Sequence, residues 1–228
     1  MSTILLRLAA PLQSWGYDSI YDRRNTNYYP TKSGVIGIIA AALGRTREDS
    51  IKNLADCKFG IRIDRQGSIL SDFQTTEMQN YLNKGYKSNV SKREYLSDAV
   101  FLAGLEYNDE KLVENIVEAL KHPKFSLFLG RKSCPPTYPL FLKTTTLDLY
   151  LALQKEDWLV PEWQAQRKKD PSKLRIIVDS TQSKAVVRDV PLSYSPKKRE
   201  YTYRGIQEMP SVMISTKMPE HDPMKELR

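Results

Sequence analysis

The 228 residues, 40% of them hydrophobic, are enough to bury a substantial core in one large domain or two small ones. The formal net charge is +8 and the pI is about 9.3. Since 27 acidic residues remain, a histone-like basic tail is excluded, and the basic residues are expected to cluster on particular faces.

The sequence also limits the cellular setting and the cofactors. No apolar run approaches the ~20 residues of a membrane span, and the first apolar run is too short for a signal peptide. We therefore expect a cytoplasmic protein that contacts no membrane. The two histidines and two cysteines lack metal-ligand spacing, so no metal or other cofactor is expected.

The N-terminal third begins with a strand and a helix. Residues 3–8 form an almost uninterrupted apolar run, whose length predicts a strand. From Ser33 onward, apolar residues recur at a spacing of three and four. This spacing predicts a helix, which Thr31 or Ser33 can cap and Gly44 can end.

The middle of the chain continues the alternation after a short polar helix near residues 48–55. Its patterns predict three strands, a helix and a further strand, in this order: 57–65, 68–76, 95–107, 109–120 and 125–129. We interpret the whole as the strand, helix, strand, strand, helix, strand arrangement of a ferredoxin-like (RRM-like) α+β palm. This arrangement is common among RNA-recognition folds but defines no function by itself.

An insertion at about residues 77–93 interrupts this palm. It is polar, basic and aromatic, with Tyr81 and Lys87 among its residues, and it is expected to project as a long hairpin. We interpret it as a thumb that contacts nucleic acid, although an ordinary solvated loop would look similar. Arg93 at its base can hold an RNA turn, or else form an ion pair with a neighbour such as Asp98.

The last part of the chain differs in character. Residues 1–142 are expected to form the palm with its thumb, and residues 143–228 a small, basic, β-rich C-terminal module. A helix is expected at 147–153, an exposed basic arm at 161–173, and three short strands at 174–178, 185–190 and 200–204.

A basic turn follows the predicted strand at 125–129. Arg131, Lys132 and Ser133 lie between Gly130, which frees the backbone, and two prolines, which stiffen it. Such a loop is suited to hold a polyanion at the end of a strand. We predict that it contacts RNA phosphates.

A second basic turn precedes the first helix. Lys32 and Ser33 stand at the predicted helix N-terminus, where free amides and the helix dipole favour an anion. A phosphate could bind there. Alternatively, Ser33 is only a helix cap and Lys32 is a solvated lysine.

The segment between the first strand and the first helix adds four candidate RNA contacts. Gln13 and Ser14 carry groups that can read a base edge, and Trp15 can stack on a base or belong to the core. Arg24 lies in the following loop, where a guanidinium can bind phosphate bidentately.

Four blocks of sequence follow one another within residues 4–142: Arg7-Leu8 with PLQSWG at 11–16, PTKSGVIG at 30–37, REYLSDA at 93–99, and LGRKSCPP at 129–136. Their order and spacing resemble the CasD family, subunits of type I-E CRISPR Cascade complexes in the repeat-associated RNA-binding superfamily. The part after residue 142 carries no such block.

The resemblance implies a non-catalytic RNA-binding subunit of a surveillance complex in antiviral defence. Such a subunit holds the 5′ handle of the CRISPR RNA and caps a filament of CasC-like backbone subunits. Its thumb reaches along the guide and helps to displace a nucleotide. A CasA-like large subunit docks close by, which brings target DNA near the chain.

Two other functions remain open from the sequence. The first is a metal-independent endoribonuclease that processes CRISPR precursor RNA, as related subunits of type I-C systems do. His122 beside Lys121 is the one plausible centre for it, but His122 precedes Pro123 at a helix end and no second histidine lies near. The second is a scaffold whose main contacts are with protein.

Overall fold

The computed structural model describes residues 1–16, 23–80, 85–160 and 173–213. The fold is α+β, with many strands and few helices. Its strands are β1 (Ser2–Ala9), β2 (Leu12–Gln13), β3 (Arg23–Arg24), β4 (Lys58–Arg65), β5 (Ser68–Asn80), β6 (Gly85–Ser97), β7 (Val100–Tyr107), β8 (Phe141–Thr145), β9 (Lys173–Asp179), β10 (Val186–Ser193) and β11 (Glu200–Met213). Its helices are α1 (Lys32–Ala42), α2 (Lys52–Ala55), α3 (Glu110–Lys121) and α4 (Leu149–Lys155).

A large antiparallel sheet carries the core. Within the described residues it has seven strands in the order β10-β11-β9-β4-β7-β1-β8. Successive side chains of a strand point to opposite faces, so β1 sends Ile4 and Leu6 to one core and Leu5 to another. Helices α1 and α3 cover the first face and α4 covers the second, which explains why β7 is buried along its whole length.

Helix α1 forms as its sequence predicts. Thr31 is the N-cap, since its side chain accepts a hydrogen bond from the backbone N–H of Gly34 at 3.2 Å. Ser33 is therefore inside the first turn and does not cap the helix. At the other end, Gly44 has a φ of 77° and follows the C-cap Leu43, as predicted for a glycine that ends a helix.

The predicted strand at residues 95–107 is wrong, because the run contains two strands of different sheets. Strand β6 ends at Ser97, Asp98 has a φ of 56°, and β7 begins at Val100. Asp98 tolerates this left-handed conformation, and its N–H donates to the carbonyl of Pro11 at 3.0 Å. The apolar pattern continues across the break because both strands are buried there.

The strand predicted at residues 125–129 is also wrong. The N–H groups of Lys124 and Phe125 donate to carbonyls at the C-terminus of α1, and the N–H of Leu129 donates to the backbone carbonyl of Cys134 at 2.7 Å. These backbone groups are therefore used in a helix end and a turn. The strand beside β1 is instead β8, whose mixed sequence FLKTT reflects its half-exposed position at the sheet edge.

Strands β5 and β6 form a long antiparallel hairpin. Its register runs from Ser68 opposite Ser97 to Asn80 opposite Gly85, so the insertion predicted at 77–93 is the outer part of a longer hairpin. Since β5 pairs along the whole of β6, the short strands β2 and β3 occupy the other edge of β6. The base of this hairpin therefore pairs with two short segments that lie between β1 and α1 in the sequence.

The C-terminal strands extend the large sheet. Strand β9 pairs with β4, and β11 pairs with both β9 and β10. The predicted helix at 147–153 and strands at 174–178, 185–190 and 200–204 are confirmed, with β11 longer than expected. The division at residue 142 stays a prediction. None of the helices in the described part of the chain is long and apolar enough to cross a membrane.

Candidate nucleic-acid interface

The loop that carries Arg131 is pinned by its neighbours. Gly130 has a φ of 87°, and a Cβ at this position would lie 1.6 Å from the carbonyl oxygen of Ser14. The N–H of Ser14 donates to the carbonyl of Leu129 at 3.1 Å, and Cys134 is buried beneath the loop. Only glycine permits this approach of two backbones, so the loop has a defined position.

Arg131 joins this loop to the base of the hairpin. Its Cζ lies 4.5 Å from the centroid of the Tyr95 ring, which is a favourable cation–π distance. Its Nη2 donates to the backbone carbonyl of Arg24 at 2.7 Å, whereas its Nη1 is buried without a hydrogen-bond partner. Lys132 and Ser133 beside it are exposed. The guanidinium of Arg131 is therefore held in a fixed position, but one of its N–H donors lacks a hydrogen-bond acceptor.

Strands β3 and β6 bring further cations to Arg131. The two strands are parallel, with Arg23 opposite Lys92 and Arg24 opposite Arg93. Arg93 is half-buried, and its Nε has no hydrogen-bond partner. The alternative ion pair between Arg93 and Asp98 is absent among the described residues.

We call these six cations the basic cluster: Arg23, Arg24, Lys92, Arg93, Arg131 and Lys132. Within the described ranges, no member forms an ion pair with a carboxylate. By contrast, the buried Lys32, Arg62 and Arg204 each have an acidic partner. Arg23 and Lys92 lie on the opposite face of the hairpin sheet from Arg24 and Arg93, so the cations surround the base of the hairpin. Uncompensated cations in this arrangement favour an anionic ligand from outside the chain.

The sequence prediction omitted parts of this cluster. The site residues that it selects include Arg24 and Arg93 but leave out their neighbours Arg23, Lys92 and Tyr95. Tyr95 is buried, and one face of its ring supports Arg131. The alternation of Lys92 and Glu94 with Arg93 and Tyr95 in β6 is the signal that could have separated the two faces of this strand.

The expectation that Gln13 and Trp15 present groups to RNA is corrected by their burial. Gln13 is fully buried, where its Nε2 donates to the carbonyl of Ala99 at 2.7 Å and its Oε1 accepts from the Trp15 indole at 3.0 Å. Trp15 is 1% exposed and packs against Gly34. Ser14 is also buried, and its hydroxyl donates to the carbonyl of Glu94. These side chains hold the interface in place from within.

The turn at Lys32 and Ser33 is corrected in the same way. The Lys32 ammonium is buried and donates to the carbonyl of Cys57 at 2.6 Å and to Asp179 at 3.2 Å. The backbone N–H of Lys32 donates to Asp189 at 2.8 Å, so an internal carboxylate occupies the helix N-terminus. Ser33 is buried as well. An RNA phosphate has no access to this turn in the structure.

The other predicted residues are divided between exposed and undescribed positions. Arg24 and Lys132 are exposed in the basic cluster. Tyr81 and the side chain of Lys87 lie outside the described residues, and their RNA contacts stay predictions. His122, the candidate nuclease centre, is 77% exposed at the end of α3, where its nearest acidic partner is Glu118 at 3.7 Å.

Both cysteines are free thiols in protected surroundings. Burial raises the pKa of the Cys57 thiol to about 11, an effect that the nearby Lys32 only partly opposes. Burial also raises the pKa of Cys134, against hydrogen bonding by Ser133 and the charge of Arg131. Neither thiol is therefore a reactive nucleophile at neutral pH.

Comparisons with known proteins agree over most of the chain. A family model described as "CRISPR-associated protein (Cas_Cas5)" matches residues 3–206. "CRISPR system Cascade subunit CasD" of Escherichia coli (strain K12) is 35% identical over 159 residues, which are 63% of this chain and 71% of that protein.

Two solved structures are similar throughout. The first is described as "Crystal structure of Cas protein" and has a TM-score of 0.73 at 36% identity, covering 92% of this chain and 95% of that one. The second is a chain of a "CRISPR RNA-guided surveillance complex", with a TM-score of 0.79 at 30% identity, covering 99% of this chain and 97% of that one. The structural likeness therefore extends beyond the four sequence blocks into residues 143–228.

Proposed function

Since the chain belongs to the CRISPR-associated Cas5 family, we propose that it is a non-catalytic, CRISPR RNA-binding subunit of a type I-E Cascade surveillance complex. In this role it holds the 5′ handle of the guide RNA. The observation that carries the proposal is the basic cluster, and within it the guanidinium of Arg131 above Tyr95. The relatives named above, one a Cascade subunit and the other a surveillance complex, support the same role.

The chemistry of the basic cluster suits a nucleic-acid backbone. A phosphate supplies the acceptor oxygens that Arg93 Nε and Arg131 Nη1 lack within the described residues. A single carboxylate could satisfy one of them, but six cations spread over a loop and two strands match a polyanion.

The architecture supports the assignment of palm and thumb. We assign the ferredoxin-like palm to the strands β4, β7, β1 and β8, with α1 and α3 on one face. Their order and antiparallel pairing support this assignment. The hairpin β5–β6 is the proposed thumb, and Tyr81 and Lys87 are further proposed RNA contacts.

The proposed role includes partners and a location. In a complex of this kind the chain caps a filament of CasC-like backbone subunits, beside a CasA-like large subunit and close to target DNA. We propose that it does so in the cytoplasm. The 5′ handle would then lie between the thumb base and the loop at Arg131.

RNA binding tests the proposal most directly. The double variant Arg131→Ala/Lys132→Ala should bind a synthetic CRISPR RNA at least tenfold more weakly than the wild-type chain. The slope of log affinity against log salt should become shallower by ~0.7 for each lost phosphate contact. Circular dichroism checks that the variant is folded.

The matched control is Lys197→Ala/Lys198→Ala, which removes the same charge from another exposed segment. It should change affinity much less than the loop variant. Equal losses of affinity in the two variants would mean that RNA binding depends on the net charge of the chain and not on the basic cluster. Unchanged binding by the Arg131→Ala/Lys132→Ala variant would contradict the proposal.

A further inference from the structure

The buried side-chain polar atoms that lack a hydrogen-bond partner within the described residues are Ser91 Oγ, Arg93 Nε and Arg131 Nη1, and all of them lie at the hairpin. Ser91 and Arg93 are two residues apart in β6, so they share one face of the strand at a spacing of about 6.6 Å. Tyr95 follows on the same face and carries Arg131 over its ring. The three atoms therefore form one row, with Ser91 at the end that is farther from the hairpin base.

A row of unpaired buried atoms points to a ligand that supplies the missing partners. Each such atom is unfavourable in the free chain, and native structures contain few of them. The proposed phosphate contacts account for the two guanidinium atoms, because both are donors only. Ser91 is different, since its hydroxyl is neutral and can both donate and accept.

The side chains around Ser91 on this face are polar and include a carboxylate. Gln74 is directly opposite Ser91 in the hairpin register, and Asp72 is directly opposite Arg93. The Gln74 amide donates to Asp72 at 2.7 Å, and Asp72 forms no ion pair with Arg93 within the described residues. We call Asp72, Gln74 and Ser91 the polar cluster. All three residues are half-buried, so part of each remains open to solvent.

The charge of the polar cluster indicates which group of a nucleic acid fits there. The Asp72 carboxylate repels a phosphate but accepts a hydrogen bond from a hydroxyl. In RNA, a 2′-hydroxyl that is both donor and acceptor lies on the ribose beside each phosphate, and DNA lacks it. When Arg93 and Arg131 hold a phosphate, the adjoining ribose is therefore next to the polar cluster.

We infer that the polar cluster recognises one ribose 2′-hydroxyl of the guide RNA, with Ser91 Oγ in direct contact, beside a phosphate bound by Arg93 and Arg131. Ser91 is then a specificity residue, through which this face of the hairpin distinguishes RNA from DNA. The inference rests on the proposed function and adds to it a sugar contact that the basic cluster does not provide. Because the contact is with the sugar, it is independent of which base the ribose carries.

The test uses synthetic CRISPR RNAs in which 2′-deoxyribose replaces one handle ribose at a time. The wild-type affinity should fall by about threefold to tenfold at one particular position, the effect of one lost hydrogen bond. Ser91→Ala should bind the all-ribose RNA more weakly by a similar factor. It should lose no further affinity at that position, because the contact is already absent. Ser91→Thr keeps a hydroxyl on a residue that suits a strand, so it should retain the wild-type pattern.

The matched control is Ser88→Ala in the same strand. Ser88 is exposed and lies on the opposite face of β6 from Ser91. Its replacement should leave both the affinity and the 2′-deoxy pattern unchanged, and circular dichroism checks that each variant is folded. The inference is overturned if Ser91→Ala shows the same loss at the same position as the wild type. It is also overturned if no single 2′-deoxy position weakens binding by the wild-type chain.

The proposed function and this inference fail in different ways. If the wild-type chain binds no CRISPR RNA at all, the proposed function itself is wrong. The inference alone is wrong if the wild-type chain binds CRISPR RNA and an all-deoxy strand of the same sequence equally, while Arg131→Ala/Lys132→Ala weakens both. In that case the basic cluster binds the phosphates and the polar cluster makes no contact with the sugar.

Discussion

The carbonyl oxygen of Ser14 occupies the space that a side chain at Gly130 would need, since a Cβ there would lie 1.6 Å from it. Gly130→Ala must therefore displace one of the two backbones, and it also places alanine at a φ of 87°. We expect the variant to lower the free energy of unfolding by about 1–3 kcal/mol, measured by urea denaturation. RNA binding should weaken as well, because Arg131 follows directly.

The control for this variant is Gly37→Ala inside α1. The nearest atom to a new Cβ there is the Tyr194 hydroxyl at 3.7 Å, an ordinary contact. Alanine in a helix interior should raise stability by about 0.5–1 kcal/mol. If both variants had the same effect, the close approach of Ser14 and Gly130 would have no energetic importance.

The regular elements follow from local pattern more closely than the site does. The periodicity of residues 57–65 and 109–120 is enough to predict β4 and α3, because their core faces repeat at two and at three to four. The sequence pattern does not predict strand β8, because an edge strand needs few apolar residues. It does not predict the break between β6 and β7 at Asp98 either, because buried residues continue on both sides of the break.

The basic turns at Lys32 and at Arg131 are similar in sequence, but the first is buried and the second is part of the candidate interface. No local sequence signal distinguishes them. Both contain a lysine followed by serine. Lys32 is buried because Asp179 and Asp189, far along the chain, fold back over it. Arg131 remains unpaired because the loop faces the hairpin, where no carboxylate within the described residues meets it. The difference depends on long-range pairing that a single sequence does not reveal.

The buried charge network around Arg204 should be essential for stability. Arg204 pairs bidentately with Asp189 at 2.6 and 2.9 Å and also with Asp179, which binds Lys32. Arg204→Met leaves the buried Asp189 and the partly buried Asp179 with one remaining cation, Lys32. We expect the free energy of unfolding to fall by about 3–5 kcal/mol in urea denaturation.

The exposed pair of Arg175 and Glu208 provides the comparison for Arg204. Both side chains are about half exposed, and their N–O distance is 2.7 Å. Arg175→Met should change the free energy of unfolding by less than about 1 kcal/mol, because water screens exposed pairs. Similar losses in Arg204→Met and Arg175→Met would show that burial does not control these interactions.

The raised pKa of Cys57 predicts a loss of stability at alkaline pH. The thiol has a pKa of about 11 in the folded chain, against an ordinary value of 9.0. Between these values the unfolded chain loses the proton while the folded chain retains it, so rising pH favours unfolding. The wild-type free energy of unfolding should therefore fall by about 2 kcal/mol more than that of Cys57→Ala between pH 8 and pH 11.

The comparison with Cys57→Ala cancels the contributions of the tyrosines other than Tyr107, whose pKa is raised mainly by burial and in part by Cys57. Urea denaturation at several pH values between 8 and 11 gives the two curves. They should lie parallel below pH 8.5 and converge or cross above it. Curves that remain parallel up to pH 11 would mean that the Cys57 thiol ionises as readily in the folded chain as in the unfolded one.

Incubation with repeat RNA distinguishes binding from processing. His122 is exposed at the end of α3, where its Nε2 lies 3.7 Å from Glu118 Oε1. Metal-independent cleavage needs a base near the 2′-hydroxyl and a cation near the developing charge, and the basic cluster contains no histidine. We therefore expect the purified chain to bind labelled repeat-spacer RNA without metal and to leave it intact on a denaturing gel. A cyclic-phosphate product that disappears in His122→Ala would instead assign the chain to the processing enzymes. The variant Lys121→Ala would then show whether cleavage also needs the neighbouring cation.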